Sequence, residues 1–217
     1  MQDRRAERQG QYGKIEVIGG PMFSRKSDEL IEVLRIARDH GQESVQAFYP
    51  HIDDRGNPGT INTVDGKHFP ATEVFSSKEI KEKLKSDVTV IGIDEAQFMD
   101  MDLQKVCIDF AMMGKTVIVA GLLTDFKKDT FGPMGDMLAI ANEITLKKAR
   151  CEVCGRHARW TQRLVEEEGG NTRPAKRSED VIDVGGKKDD IRNQDKSRKK
   201  KSFYQARCDD HHIVLEE

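Results

Sequence analysis

Gly19-Gly20-Pro21-Met22-Phe23-Ser24-Arg25-Lys26-Ser27 decides how the chain folds, because it lies between an apolar run at residues 14–18 and a stretch of helical spacing at 27–39. The run reads as a strand, and Leu30, Ile31, Leu34 and Ala37 fall near one helical face. Strand, loop and helix in that order make a phosphate-binding loop of pattern G-x-x-x-x-G-K-[ST], met here at Gly20, Lys26 and Ser27. Arg25 occupies the second glycine position. A Gly-rich turn before an ordinary helix is the plainer alternative, and the rest of the chain weighs against it.

Each position of the pattern has a physical reason. Backbone N–H groups of the loop and of the first helical turn point at phosphate oxygens, where unpaired donors and the helix dipole favour negative charge. Lys26 reaches the β- and γ-phosphates, and the Ser27 hydroxyl ligates Mg²⁺. Gly20, Pro21, Met22, Phe23, Ser24, Arg25, Lys26 and Ser27 are therefore the expected ATP-binding stretch. Arginine in place of glycine adds a side chain where backbone approaches phosphate, and costs about 1 kcal/mol if the position is left-handed.

The chain has 217 residues, which suits one medium domain or a domain with a small appendage. Charged residues make up 34%, yet the net charge is −2, so no global basic character argues for nucleic acid. Residues 1–13 are polar and lack the apolar segment of a secretory signal; they are expected to be a disordered tail. No apolar run approaches the roughly 18 residues that span a membrane. The four cysteines, unevenly placed, suit a metal site in a reducing cytoplasm better than a disulfide scaffold.

Along the chain, residues 43–49 read as a second strand, followed by a turn-rich loop holding Asp53, Arg55 and Gly59. Asp53 and Arg55 either serve a phosphate and its Mg²⁺ or are solvated loop charges. Residues 77–85 read as a solvated surface helix. Val88-Thr89-Val90-Ile91-Gly92-Ile93-Asp94-Glu95 is an apolar run ending in two carboxylates, the mark of a buried parallel strand delivering acids to the ligand-binding edge of an α/β sheet. Asp94 is the candidate Mg²⁺ ligand, direct or through water, which leaves Glu95 to accept a proton. A helix at 101–113 carries Cys107 as a small buried hydrophobe, 116–121 is another apolar strand, Phe131-Gly132-Pro133-Met134 opens a helix, and 144–148 forms a last strand. This alternation predicts an α/β nucleotide-binding domain over residues 14–148, a parallel sheet with helices on both faces.

At Cys151 the character changes. Cys151-Glu152-Val153-Cys154 is a C-x₂-C knuckle and Cys208-Asp209-Asp210-His211 a C-x₂-H knuckle, together four ligands for a tetrahedral structural zinc. His212 is the rival to His211 as the fourth ligand. Residues 149–217 are thus expected to form a small lobe, poor in apolar residues, that its metal orders. A basic insertion at about 187–201 reads as a solvated loop; it lacks the interleaved aromatics that single-strand nucleic-acid binding uses.

With these residues assembled, the chain resembles the zinc-containing thymidine kinases over nearly its whole length. The carriers are Gly20-Pro21-Met22-Phe23-Ser24, Asp94-Glu95-Ala96-Gln97-Phe98, Phe131-Gly132-Pro133-Met134, Thr161-Gln162-Arg163-Leu164 and Tyr204-Gln205-Ala206-Arg207-Cys208, which agree in order and spacing. The resemblance implies transfer of the γ-phosphoryl group of ATP to the 5′-hydroxyl of thymidine. It implies Glu95 as general base, Lys26 and Arg55 stabilising the migrating phosphoryl group, and Ser27 and Asp94 positioning Mg²⁺. It also implies a zinc-anchored lasso over the nucleoside, with Thr161 and Tyr204 near base and sugar and Met22, Phe98, Leu122 and Phe126 lining the pocket. A homotetramer inhibited by thymidine triphosphate is a further implication.

The chain departs from the family pattern at Arg25 for glycine, Asp28 for threonine, Tyr49 for lysine, Gly56 for tyrosine, Val64 for histidine and Leu123 for aspartate, and in the basic insertion. Most of these changes concern the phosphate half of the site. The alternative to a working kinase is therefore a catalytically impaired relative that binds nucleosides or nucleotides.

Overall fold

A computed structural model describes residues 12–41, 43–52, 58–167, 169–181 and 202–216. Most of the expected N-terminal tail, Asp53, Arg55, Gly56 and the basic insertion at 187–201 lie outside the described residues. Two compact units emerge. One comprises the chain up to Gly19, Arg25–Leu123 and Thr130–Leu146; the other comprises Gly20–Ser24, Thr124–Asp129 and the chain from Lys147 on.

In the first unit, β1 (Ile15–Gly19) leads through the loop to α1 (Lys26–Asp39), and β2 (Val45–Pro50) follows. A hairpin of β3 (Thr60–Asn62) and β4 (His68–Pro70), not anticipated from the sequence, precedes β5 (Thr72–Val74) and α2 (Ser77–Lys83). Then come β6 (Val90–Ile93), a 3₁₀ turn at Ala96–Phe98, α3 (Leu103–Met112), β7 (Thr116–Gly121), α4 (Met134–Ile140) and β8 (Glu143–Leu146). The expected strand at 144–148 and helix at 101–113 are thus shifted or trimmed by one or two residues. The main sheet has the order β5-β2-β6-β7-β1-β8, and every pairing is parallel.

Strand alternation distributes the apolar side chains to two cores. On one face Ile15, Val17, Ile91, Ile93, Val117 and Val119 pack with Leu103, Val106, Phe110, Met134 and Met137 of α3 and α4. On the other, Ile18, Val90, Ile118 and Ala120 meet Leu30, Ile31 and Leu34 of α1. Helical cover on both faces is why these strands read as continuous apolar runs. Cys107 is fully buried in the first core, and burial pushes its thiol up to about 12, as suits a small core hydrophobe.

The second unit contains β9 (Ala149–Arg150) paired with β10 (His157–Ala158), and a three-stranded antiparallel sheet of β12 (Thr172–Pro174), β11 (Trp160–Glu166) and β13 (Ser202–Arg207) in that order. Its apolar clusters are small: Ala149, Cys151, Ala158, Ala206 and Cys208, and separately Phe126, Val165 and Ala175. No helix among the described residues is long and apolar enough to cross a membrane.

Candidate active site and metal centre

Strands β6, β7 and β1 are parallel neighbours, so their carboxyl ends bring Asp94 and Glu95, Leu122, and the start of the phosphate loop to one edge of the sheet. Asp94 is 4% exposed, and its N–H donates to the Phe48 carbonyl at 3.0 Å. Ser27 hydrogen-bonds its carboxyl group, and the positive charge of buried Lys26 acts on it too. Burial, followed by the Glu95 charge, raises Asp94 to about 7 against the pull of Ser27, the Glu95 amide and Lys26. The Ser27 hydroxyl and Asp94 carboxylate are hard oxygen donors, a set that fits Mg²⁺.

Glu95 adopts a left-handed conformation, φ 48° and ψ 37°, at the sharp exit from β6. Its carboxylate accepts a hydrogen bond from Gln97 Nε2, while Gln97 Oε1 accepts the Leu122 N–H at 2.9 Å. Gln97, 2% exposed, therefore holds both the candidate base and the end of β7. Glycines make room for it: a Cβ at Gly121 would lie 2.8 Å from Gln97 Oε1, and one at Gly132, φ +52°, only 2.1 Å from the Gln97 carbonyl. No local signal marks this role for Gln97, although the residue stands in the acidic motif. Phe98 meets Phe131 edge-on, with ring centroids 5.4 Å apart, and Leu122 is buried.

Arg25 is left-handed, φ 63° and ψ 40°, at the N-cap of α1. The position keeps the conformation that glycine adopts freely, at a strain of about 1 kcal/mol for arginine. Its side chain, 64% exposed, pairs with Asp65 in the turn joining β3 to β4. An exposed pair of this kind is worth roughly 0.2–1 kcal/mol, which partly offsets the strain. Two other departures from the family pattern, Leu123 and Tyr49, have local contacts that account for them. The Leu123 side chain covers Gly19, where a Cβ would come within 2.5 Å of it, and the Tyr49 hydroxyl accepts the Gly59 N–H at 3.0 Å. Asp28 lies in the first turn of α1, where the helix dipole favours an acid, though its buried Oδ1 has no hydrogen-bond partner. Val64 is fully exposed in the hairpin turn.

In the second unit, residues 20–24 form a tight turn. The Ser24 hydroxyl donates to the Pro21 carbonyl at 2.8 Å, and Phe23 is left-handed at φ 63°. A Cβ on Gly20 would lie 2.6 Å from the Lys147 carbonyl, so the loop glycine is required by close backbone approach. The Met22 N–H donates to the Thr161 hydroxyl at 3.0 Å. Thr161 is buried on β11; Tyr204 is half-buried on β13, in register with Arg163. Phe126 is buried with Val165 and Ala175, and the Arg163 guanidinium lies 5.6 Å from its ring centre.

Cys151, Cys154, Cys208 and His211 present ligand atoms all within 4.8 Å of one another. Cys154 Sγ lies 3.7 Å from Cys208 Sγ, and His211 Nδ1 lies 3.2 and 3.8 Å from the sulfurs of Cys208 and Cys151. A tetrahedron with zinc–sulfur bonds of about 2.3 Å has edges near 3.8 Å, so this Cys₃His set fits a structural zinc. Burial raises the Cys208 thiol. At Cys151 burial pushes the same way, but backbone N–H groups of Cys208, Cys154 and Val153 prevail and hold the thiol down, at about 6. Arg156 Nε donates to Cys154 Sγ at 3.4 Å while its guanidinium pairs with Asp210, an outer shell that steadies a thiolate. Geometry thus decides between the two histidines. His212 Nε2 instead donates to the Thr161 carbonyl at 3.2 Å, and its ring is buried.

The sequence model of the thymidine kinase family matches residues 13–192, well over half of the chain. That span takes in the phosphate loop, the acidic strand end and the first knuckle, while Cys208 and His211 lie beyond it and are placed by geometry. With the match covering well over half of the chain, the chain belongs to the thymidine kinase family.

Proposed function

We propose that the protein transfers the γ-phosphoryl group of ATP to the 5′-hydroxyl of thymidine, giving thymidine monophosphate and ADP. The observation that carries this reading is the cluster at the sheet edge: buried Asp94 bonded by Ser27 and under the charge of Lys26, beside a Glu95 carboxylate held by Gln97. In the reaction, the 5′-oxygen bonds to the γ-phosphorus as the bond to the β-phosphate oxygen of the departing ADP breaks. Glu95 takes the hydroxyl proton. Lys26 and Arg55 stabilise charge on the migrating group, and positioning and electrostatics supply most of the rate. Ser27 and Asp94 would hold Mg²⁺, which when bound neutralises charge on the β- and γ-phosphates.

Gly20, Pro21, Met22, Phe23, Ser24 and Arg25 complete the phosphate-binding stretch in this reading. Met22, Phe98, Leu122 and Phe126 supply apolar contacts to the thymine, with Thr161 and Tyr204 near base and sugar. Assembly as a cytoplasmic homotetramer, and inhibition by thymidine triphosphate, are parts of the same proposal. The impaired-relative reading rests on Arg25. Against it, Arg25 takes the left-handed backbone that glycine adopts freely, and its side chain is engaged by Asp65.

The test is Mg²⁺·ATP-dependent formation of thymidine monophosphate by the purified protein beside Glu95→Gln. Turnover is expected in the parent and should fall roughly 10²–10⁴-fold in the variant, with thymidine binding retained. A parent that binds both ligands and forms no product would sink the reading.

A further inference from the structure

The residues around the second zinc knuckle form a clasp on the start of β11. Asp209 Oδ1 accepts hydrogen bonds from Trp160 Nε1 and Arg159 Nη2, each at 2.8 Å. Gln162, buried, exchanges two hydrogen bonds with the backbone of Ile213, both at 2.8 Å. Between these contacts His212, 8% exposed, donates from Nε2 to the Thr161 carbonyl at 3.2 Å. The other polar end of Thr161, its hydroxyl, accepts the Met22 N–H of the phosphate loop at 3.0 Å. His212 is itself tied to the knuckle, because its own N–H and that of His211 both donate to the Cys208 carbonyl.

We propose that His212 is a positioning residue, which fixes Thr161 and, through the Thr161 hydroxyl, sets the Met22 amide and the 21–24 turn of the phosphate loop. The chain of contacts runs from a zinc ligand to a loop amide within one compact unit. The metal would then order more than the lobe that binds it: a knuckle in place fixes Met22, while a loosened knuckle frees it. A histidine that merely filled space would serve equally well as a phenylalanine. Leaving a buried polar group without its partner costs stability, so the loss of the Nε2 donor is felt at Thr161 first and at Met22 next. The link stands on these contacts alone; its effect on turnover rests on the kinase reading.

The experiment compares the full-length zinc-loaded parent with His212→Phe, which keeps the ring and loses the donor, and His212→Gln, whose amide nitrogen reaches as far as Nε2. Three readouts are taken: zinc content, hydrogen exchange at the Met22 amide without ligands, and the kinetic constants for thymidine. His212→Phe is expected to keep its zinc, to exchange the Met22 amide about tenfold faster, and to raise KM for thymidine more than it lowers kcat, with His212→Gln restoring both. If the phenylalanine variant does not fold, His212→Asn, whose amide is too short to reach Thr161, takes its place beside His212→Gln. Unchanged Met22 exchange in a folded, zinc-loaded variant would overturn the proposal, and so would loss of zinc, which would make His212 part of the metal site. Faster exchange in a protein that phosphorylates no thymidine would uphold the link and defeat the kinase reading instead.

Discussion

The parallel sheet and the zinc lobe hold their functional residues in different company. Asp94 emerges from a strand packed between two apolar cores, built from residues such as Phe48, Ile91, Ile93 and Val117 on one face and Leu30, Ile31 and Leu34 on the other. Thr161 emerges from a strand whose surroundings are mostly small or polar, alanines, cysteines, a buried glutamine and a buried histidine, with the small Phe126, Val165 and Ala175 cluster farther along it. The sheet therefore fixes its acids by hydrophobic burial, at about 25 cal/mol per Å² of apolar surface removed from water. The lobe holds its threonine by hydrogen bonds, beside a Cys₃His set that fits a metal. That difference predicts different ways to break each region.

Metal removal should have the largest effect. Structural zinc contributes on the order of 10 kcal/mol or more to small domains of this kind, and few apolar contacts remain in the lobe without it. Chelation, or Cys151→Ser, is expected to abolish amide protection in β9, β11 and β13 while β1, β6 and β7 keep theirs, as hydrogen exchange can read strand by strand. Equal loss in both regions would show that the lobe depends on its metal no more than the sheet does.

A smaller effect is expected at Asp94 in the sheet. The folded-state value of Asp94, about 7, lies above the ordinary carboxylate value of about 4. Between those limits the folded chain holds a proton that the unfolded chain releases, so stability from this group is full near pH 4 and falls as pH rises through 7. Asp94→Asn, neutral and of the same shape, should raise the nucleotide-free unfolding free energy at pH 8 and leave it unchanged near pH 4. Denaturant melts at the two values check this, and a variant that shifts stability equally at both would contradict the assigned cause.

The sheet was largely legible in the sequence because its signals are local. The phosphate loop follows a strand, the acids end an apolar run, and both knuckles keep two-residue spacing. Less legible were residues whose partners are distant in the chain. Gln97 acts on Leu122 across 25 positions and His212 on Thr161 across 51, distances over which neither spacing nor periodicity carries information. The choice between His211 and His212 has the same cause, since adjacent residues share a sequence context and differ only in what the fold brings to them. The partition of the phosphate loop between the two units, with Gly20–Ser24 in one and Arg25 onward in the other, is likewise a product of tertiary contacts.

Arg25 is the one letter by which the loop departs from its pattern. Its left-handed backbone and its pairing with Asp65 support the proposal that the loop tolerates the arginine. Relief of strain and loss of an exposed ion pair are each worth about 1 kcal/mol and oppose one another. The measurement is Mg²⁺·ATP-dependent phosphorylation of thymidine by the parent beside Arg25→Gly. Turnover in both, agreeing within roughly tenfold, is the predicted result, since 1.4 kcal/mol corresponds to that factor. Silence in the parent with activity in the variant would contradict it, and would identify Arg25 as the residue that disables the loop.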